Sequence, residues 1–437
     1  MFHKRFHEIL FWIFLFLIPI QTRILYLPEK AYIDWYFNYH LAFFLYLSDL
    51  VFFACFLSWL IVSRETNLTW KHIFGHFLAY ISLIFITLFH VKHLDLGLYQ
   101  AIKWLELIMV LVYMSNIKDR RFINVSLGII LISGVLQAGL GITQFHVKHS
   151  LGLDFAGEYI APIGTPGLAT IDELSVKHPP VKHIRAYGTM PHPNVLAGFL
   201  VFSLIISYYF VSRLPAGQAG ETSKHLKWLV SCGTLVLILG IFFTFSRIGW
   251  LATGLVILGF LAFNGFTWNK RALALISGVL VVSGGIILFG YLNLLVSRGT
   301  ESMNTSSIIL RETYNQQGME LIKKYPILGV GVGNYVPAIR EMFRLPPWQY
   351  QPAHNIYIFM AAELGILGLA LFLIILFEII RPVWYKKKQL LPFTLLLAAA
   401  VFLLIGLFDH YPLTIQQGRL TFFTILGFLL AQKNLES

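Results

Sequence analysis

Long runs of apolar residues, separated by polar stretches, dominate the chain. With a window of about 19 residues, about twelve of these runs are long enough to cross a bilayer as helices. They lie near residues 8–22, 39–62, 73–90, 98–115, 122–145, 194–212, 227–245, 247–264, 272–296, 355–380, 390–408 and 415–431. The pattern predicts an all-α polytopic membrane protein in which residues 1–437 form a single transmembrane domain.

Two polar connections, 146–192 and 297–354, are much longer than the others and are richer in Gly, Pro and polar residues than the flanking runs. Long connections in compact proteins are usually functional or disordered. In the second connection, the Ser/Thr cluster from Thr300 to Ser307 can cap a helix over Ile308–Lys324, which Pro326 ends. A second short helix, Pro337–Phe343, is predicted to lie on the membrane surface.

The basic residues predict how the spans are oriented. If the N-terminus, with Lys4 and Arg5, is cytoplasmic, the inner connections 64–71, 116–121, 213–226, 265–271 and 381–389 are rich in Lys and Arg. The short outer connections hold far fewer, chiefly Arg23, Lys30 and Lys92. The positive-inside rule then places both termini in the cytoplasm and both long loops outside.

Composition agrees with a membrane protein, since 57% of the residues are hydrophobic and only 12% are charged. The net charge of +12 is spread over short loops, so membrane orientation explains it and no nucleic acid partner is expected. Cys55 and Cys232 lie in apolar runs and are too few for a disulfide framework or a zinc site. The first run lacks a small-residue cleavage site and is expected to remain as an anchor.

The strongest polar residues fall on one membrane face once this topology is drawn. They are Arg185, His192, Asn194, Arg247, Arg311, His354, Asp409, His410 and Arg419. An arginine at the hydrocarbon boundary is costly unless it is paired, so several at one level suggest a bound anion. Guanidinium groups match phosphate oxygens through bidentate hydrogen bonds.

Each of these residues also has a purely structural explanation. Arg247 can anchor the eighth span, Arg185 and Arg311 can be solvated charges, and His192 before Pro193 can mark a helix start. Asp409 can pair with Arg419, and His354 can cap the tenth span.

Charged residues also occur inside the predicted spans. Lys103 and Glu106 are three residues apart and can pair on one helix face, whereas Asp49, Glu363 and Glu378 have no obvious local partner. Such groups form an ion path in a transporter, but hydrogen bonding between helices is the simpler explanation. Val-Lys-His recurs at 91–93, 147–149, 176–178 and 181–183. Isolated histidines in polar loops are usually solvated, so these repeats predict no metal site.

Four motifs carry a more specific signal. They are R-A-Y-G-T-M-P-H-P-N-V-L-A at 185–197, T-F-S-R-I-G-W at 244–250, Y-P-I-L-G-V-G-V-G-N-Y at 325–335 with the following H-N-I-Y and A-E-L-G-I-L-G, and F-D-H-Y-P-L-T-I-Q-Q-G-R at 408–419. The Gly-Val alternation lacks the strand-turn-helix setting of a dinucleotide fingerprint, so its glycines are expected to permit turns and close backbone packing. Together the motifs resemble the O-antigen ligase and polymerase superfamily, from about Arg185 onward.

The resemblance implies a glycosyltransferase of the integral-membrane (GT-C type) fold that uses no cofactor or metal ion. Such an enzyme transfers a glycan from undecaprenyl pyrophosphate to a lipid, glycan or protein acceptor on the outer face of the cytoplasmic (inner) membrane. Arg185, Arg247 and Arg311 would then bind the pyrophosphate, and His354 would be the general base. The expected supporting residues are His192, Asn194, Asn355, Glu363, Asp409, His410 and Arg419.

Two related activities share these motifs: a polymerase that joins repeat units and a protein O-oligosaccharyltransferase. A transporter is the alternative from another class, and it predicts paired internal repeats with interrupted helices at the membrane midplane. The sequence contains no convincing repeat of that kind, so ligase-like transfer is the preferred hypothesis.

Overall fold

Helices dominate the structure, as the apolar runs predict. A computed structural model describes residues 2–63, 71–158, 163, 165, 167–172, 182–213, 221–267, 269–300 and 306–432. The α-helices are α1 (Phe2–Leu17), α2 (Leu47–Ser63), α3 (Lys71–Thr87), α4 (Leu94–Ser115), α5 (Arg120–Val147), α6 (Pro193–Arg213), α7 (Glu221–Phe243), α8 (Arg247–Phe266), α9 (Lys270–Thr300), α10 (Ser306–Lys324), α11 (Tyr335–Met342), α12 (Ile356–Trp384), α13 (Leu390–Phe408), α14 (Tyr411–Thr414) and α15 (Gln416–Gln432).

Short antiparallel strand pairs lie in the connections. Strand β1 (Arg23–Tyr26) pairs with β4 (Phe43–Tyr46), β2 (Tyr32–Ile33) pairs with β3 (Tyr36–Phe37), and β5 (Thr170–Asp172) pairs with β6 (Lys182–Ile184).

Each of the predicted apolar runs overlaps one of the observed helices. Within the described ranges, seven helices are long and apolar enough to cross a membrane: α4, α5, α6, α8, α9, α12 and α13. Shorter apolar stretches lie in α2, α3 and α7. The chain is therefore an all-α polytopic membrane protein, and the total of about twelve crossings stays a prediction.

The boundaries of the first two runs were wrong. Helix α1 ends at Leu17, and α2 begins only at Leu47, because residues 18–46 form the β1–β4 and β2–β3 hairpins. Side chains of β4 alternate between half-buried and buried, the period of a strand, and this aromatic-rich segment has high strand propensity. The missed hairpins enlarge the surface on the same side as the two long loops.

Several predictions fall outside the described residues. These are the positions of Arg64 and of the rest of 64–70, the 214–220 part of an inner connection, the Val-Lys-His copy at 176–178, and the 301–305 part of the Ser/Thr cluster. The helix predicted over Ile308–Lys324 is present as α10, and the short helix predicted over Pro337–Phe343 is present as α11.

Two helices, α6 and α15, form the centre of the bundle. All residues of α15 and nearly all of α6 are buried. Helix α6 packs against α5, α7, α8 and α13, while α15 packs against α4 and α13. A helix that is apolar on every side is stable only where other helices surround it. Pro193, the first residue of α6, precedes Asn194 of the polar cluster described below, and Gln416, the first residue of α15, donates to Asp49 Oδ1 at 2.7 Å.

The glycine-rich motif fills a break in α12. Gly365 has φ +70° inside that helix, and Gly329, Gly331 and Gly333 also have positive φ. The N–H groups of Val330 and Gly331 donate to the carbonyls of Ala362 and Glu363 at 3.0 and 2.9 Å, which replaces bonds lost at the break. A Cβ on Gly365 would lie 1.9 Å from the Ile327 carbonyl oxygen. The prediction that these glycines permit turns and close packing is confirmed.

Candidate active site

Asp409 lies at the centre of a polar cluster directly after the end of α13. Its carboxylate is 4% exposed and accepts hydrogen bonds from Asn194 Nδ2 at 2.9 Å and from the His410 backbone N–H at 2.9 Å. Arg311 Nη2 lies 3.7 Å from Oδ2, and His354 Nδ1 lies 3.6 Å from Oδ1. Asp409 therefore joins residues from α6, α10 and the start of α12, rather than pairing with Arg419.

The electrostatics of Asp409 favour the carboxylate. Burial opposes ionisation, but the facing His354, Arg311 and His410 together hold the pKa of Asp409 well below its usual range. The carboxylate thus keeps its negative charge at neutral pH, next to the His354 ring.

His354 is placed so that its two ring nitrogens have different surroundings. Nδ1 faces Asp409 at a distance typical of an ion pair and too long for a hydrogen bond, so Nε2 points away from that carboxylate. The ring stacks on Tyr314 with centroids 5.4 Å apart and contacts His410 at 4.7 Å. The helix-capping role belongs to Asn355, whose side chain accepts the N–H groups of Tyr357 and Ile358 at 2.9 and 3.2 Å. His354 is therefore not the cap of α12.

An open cavity of about 830 Å³ extends from His354 between α8 and α10, and we call it the α8–α10 cavity. Arg247, Arg311 and Lys323 line it together with apolar residues, among them Leu251 and Phe408, which are 51% and 47% exposed. Glu312 and Glu320 also line it, and Lys323 pairs with Glu320 at 2.7 Å. The cavity thus places two arginines, Arg247 and Arg311, beside a lipid-compatible surface. Such a cavity can hold an anionic head group while an apolar chain remains in the bilayer.

Arg247 is held at the turn between α7 and α8. Its Nη2 donates to the Arg298 carbonyl at 3.5 Å, and Arg298 Nε donates to the Phe245 carbonyl at 3.1 Å. Phe245 has φ +47°, a conformation that bulky residues rarely adopt, so neighbouring groups must hold this turn. The T-F-S-R motif therefore builds a tight, constrained corner that presents Arg247 to the α8–α10 cavity.

Arg185, predicted to bind the pyrophosphate, lies outside the α8–α10 cavity. Its guanidinium is buried, donating from Nε to the Thr244 carbonyl at 2.6 Å and from Nη2 to Asn194 Oδ1 at 3.0 Å. Asn194 in turn holds Asp409. Arg185 does not line the α8–α10 cavity, so the structure favours a role in positioning Asn194 and Asp409.

His192 caps α6. Its Nδ1 accepts the Asn194 backbone N–H at 3.1 Å, which matches the helix-start explanation. Burial and the nearby Arg185 lower the pKa of His192 to about 3, so its ring is neutral at physiological pH.

Three aromatic or imidazole side chains near His354 were missed by the sequence analysis. Tyr314 is the stacking partner of His354, His40 contacts His410 with ring centroids 5.3 Å apart, and Tyr36 lies near Tyr314. Burial lowers the pKa of His40 to about 3. His40 was assigned to a predicted span and Tyr36 to the connection before it, so only a correct hairpin prediction could have found them.

The remaining predicted residues make hydrogen bonds to the segments next to the cluster. Arg419 donates to Gln100 Oε1 at 2.9 Å and to the Thr414 carbonyl at 3.2 Å, and Glu363 accepts the Gly333 N–H at 3.1 Å. His410 Nδ1 lies 2.5 Å from Thr414 Oγ1. None of these three residues, Arg419, Glu363 and His410, lines the α8–α10 cavity. They fix the segments that carry Asp409 and His354.

The charges within the spans form a local network. Lys103 pairs with Asp49 and, at 3.5 Å, with Glu106, while Gln416 Nε2 donates to Asp49 Oδ1 at 2.7 Å. Asp49 therefore has a partner that the sequence analysis did not find. This arrangement links α2, α4 and α15 by hydrogen bonds, as the explanation from helix packing predicts.

Among the described residues, His354, Asp409 and His410 offer possible metal ligands, with ligand atoms within 4.8 Å of one another. Two features work against a metal ion there. Arg311 already faces the same carboxylate, and the Nδ1 of His410 is engaged by Thr414. A divalent cation would lie beside a guanidinium, which opposes its binding.

Comparison with known families identifies part of the chain. Residues 232–373 match the family model described as O-antigen ligase, a range that includes Arg247, Arg311, His354 and Glu363. No curated protein matches the chain. The family match confirms the resemblance to the O-antigen ligase superfamily.

Proposed function

We propose that this O-antigen ligase-type membrane enzyme transfers a glycan from undecaprenyl pyrophosphate to an acceptor hydroxyl at the outer face of the cytoplasmic membrane. The observation that supports it most directly is the position of His354. This histidine faces a buried carboxylate and lies at the end of a cavity that Arg247, Arg311 and exposed apolar side chains line.

The α8–α10 cavity supports a lipid-linked donor. A polyprenyl chain stays in the bilayer because removing each buried methylene costs about 0.8 kcal/mol. The exposed apolar residues Leu251 and Phe408 can contact that chain while Arg247 and Arg311 contact the pyrophosphate. Paired cations stabilise the charge that develops on the leaving pyrophosphate as the glycosidic bond breaks.

The geometry of His354 indicates which group takes the proton of the acceptor hydroxyl. The acceptor oxygen attacks the anomeric carbon of the donor glycan, and the bond to the pyrophosphate oxygen breaks with its electron pair. Nε2 of His354 takes the acceptor proton, and the resulting imidazolium is stabilised by Asp409 on the Nδ1 side. Arg185 and Asn194 act as positioning residues, because they hold Asp409.

The orientation is part of this proposal. Both termini lie in the cytoplasm, and residues 146–192 and 297–354 form outer loops of a single transmembrane domain, in line with the distribution of Lys and Arg. The hairpin segment 18–46 then joins them on the outer face.

The test compares His354→Ala with His149→Ala, an exposed histidine in the first long loop. Purified variants are assayed with lipid-linked donor and acceptor extracted from a strain that lacks the gene. Loss of the general base should lower turnover by about 10²- to 10⁴-fold while donor binding survives, and the control should be unaffected. Normal turnover of His354→Ala removes this residue from the chemistry.

Surface glycans of the deletion strain separate the ligase from the polymerase. Accumulation of long lipid-linked chains without any attachment supports the ligase. Attachment of single repeat units supports the polymerase, and loss of glycan from proteins alone supports an oligosaccharyltransferase. Solute flux in liposomes without glycan transfer would support a transporter.

A further inference from the structure

Two exposed tryptophans from distant parts of the chain meet at the outer end of the candidate site. Trp35 occupies the turn between β2 and β3, and Trp348 belongs to a short turn before α12. They are 62% and 40% exposed, and their ring centroids are 6.0 Å apart. Asn38 Nδ2 donates to the Tyr350 carbonyl at 2.8 Å, which fastens the hairpin to this turn. The pair is therefore held in place by the fold.

The aromatic contacts continue from this pair toward His354. Trp35 contacts Tyr36 edge to face with centroids 5.9 Å apart, and Tyr314 stacks on His354. The segment that carries Trp35 and Tyr36 also reaches the candidate general base, because His40 contacts His410 with ring centroids 5.3 Å apart and His410 contacts His354 at 4.7 Å. We call the series Trp348, Trp35, Tyr36 and Tyr314 the aromatic lane. It leads from the solvent-exposed surface to the candidate general base.

The aromatic lane approaches His354 by a different route from the α8–α10 cavity. None of its four members lines that cavity, which His354 does. Polar groups accompany the rings: Asp34 is exposed beside Trp35, and Gln351 Nε2 donates to the Trp348 carbonyl at 3.4 Å.

The geometry points to the aromatic lane as the binding site for the saccharide part of the acceptor, which rests on the proposed transfer reaction. Sugar rings present flat C–H faces and hydroxyl edges. Exposed indole and phenol rings offer an apolar face with a polar rim, the combination that such a ligand requires. The donor then enters from the lipid side through the α8–α10 cavity, and the acceptor hydroxyl arrives along the lane at Nε2 of His354.

The experiment uses the full-length chain in nanodiscs with two fractions from the deletion strain, the accumulated lipid-linked donor and the unmodified acceptor. In the double variant Trp35→Ala, Trp348→Ala, the acceptor concentration for half-maximal transfer should rise about tenfold or more. The half-maximal donor concentration should not change. Trp35→Phe, Trp348→Phe keeps the rings and should recover most of the affinity. Trp384→Ala, an equally exposed tryptophan at the opposite end of α12, is the matched control.

Binding of the acceptor fraction to the immobilised protein gives a second readout, independent of turnover. If the wild type transfers glycan and the double variant has an unchanged half-maximal acceptor concentration, the lane is refuted and the proposed function stands. Equal shifts in the half-maximal donor and acceptor concentrations would also refute the lane. If the double variant differs from the wild type only in its insertion into nanodiscs, the tryptophans are membrane anchors and the lane is refuted. If the wild type shows no transfer, the proposed function fails, and unaltered acceptor binding by the double variant would then refute the lane separately.

Discussion

The replacement Asp409→Asn removes the central charge of the candidate site and keeps its shape. The wild-type carboxylate accepts from Asn194 at 2.9 Å and faces Arg311 at 3.7 Å and His354 at 3.6 Å. In the variant, only one side-chain oxygen remains, and the new NH₂ group must face a donor or a cation. Arg311 and a protonated His354 both lose their counter-charge.

The magnitude follows from burial. Removing one partner of a fully buried ion pair costs about 3–5 kcal/mol. Asp409 is buried, but the Arg311 side chain is 37% exposed, so water screens part of the loss. We expect the free energy of unfolding to fall by about 1–3 kcal/mol. Turnover should fall by about 10²-fold or more, because the imidazolium formed on proton transfer is no longer stabilised.

The pH dependence has a defined sign. Since the pKa of folded Asp409 lies below its usual value, the carboxylate contributes stability above the unfolded pKa of about 3.9 and loses it as pH falls through the folded value. The stability difference between wild type and Asp409→Asn should therefore shrink as pH falls below about 4.

The assay measures thermal unfolding and single-turnover transfer on the same detergent-purified samples. Asp95→Asn is the matched control, because Asp95 also pairs with a cation, Lys30, but at an exposed site. An exposed pair contributes about 0–1 kcal/mol, so the control should behave as wild type. If Asp409→Asn is destabilised but the folded fraction turns over normally, the carboxylate only supports packing, and the argument about His354 is refuted.

Three further predictions test the cations, the absence of a metal requirement and a buried imidazole. Arg247→Lys keeps the charge but loses the planar guanidinium, so donor titration should show about tenfold weaker binding. The control Arg381→Lys, at the end of α12 that lies far from His354, should bind the donor as the wild type does. Transfer should survive exhaustive treatment with EDTA, and a loss restored by a divalent cation would contradict this. Because His192 has a pKa of about 3 when folded, its neutral form stabilises the protein fully above the unfolded pKa of about 6.5, and this stability is lost as pH falls toward 3. His192→Asn keeps the helix cap, so its melting temperature should decline less between pH 6.5 and 4 than that of wild type.

The sequence predicted the helices well where the apolar period was long and uninterrupted. The run at 390–408 coincides with α13, and 194–212 differs from α6 by one residue at each end. The prediction failed over 18–22 and 39–46, because the apolar and aromatic residues there suit both a strand and a membrane helix. Hydropathy alone cannot distinguish the two in a short segment.

The candidate site could be predicted only in part, because its contacts join residues far apart in the chain. The motifs contain Asp409, Asn194 and His354, but no local pattern shows that Asp409 faces Arg311 instead of Arg419. Tyr314 was missed since it lies in an ordinary polar helix, and its role appears only once α10 packs beside the start of α12.

The construction of the polar cluster explains why so many charged residues are tolerated near the membrane. Ends of helices leave backbone groups without partners, and these need hydrogen bonds wherever they are buried. Here, cationic side chains donate to carbonyls at such ends, as Arg185 does to Thr244 and Arg419 to Thr414. Side-chain acceptors receive N–H groups at the beginnings of helices, as Asn355 does for Tyr357.

These charges thus replace interactions that the interrupted backbone would otherwise lack, so each has a structural use that requires no ligand. Arg247, Arg311 and His354 differ because they line an open cavity as well as contacting the protein. Lipid tails cannot solvate two guanidinium groups, and water in a cavity open to the bilayer does so at a cost. An anionic head group satisfies both at once. The distinction predicts that changes in Arg185 or Arg419 lower stability and turnover together, whereas changes in Arg247 or Arg311 lower donor affinity with little loss of stability. Combined melting and donor-titration measurements on the four Arg→Lys variants would refute it if all four behaved alike.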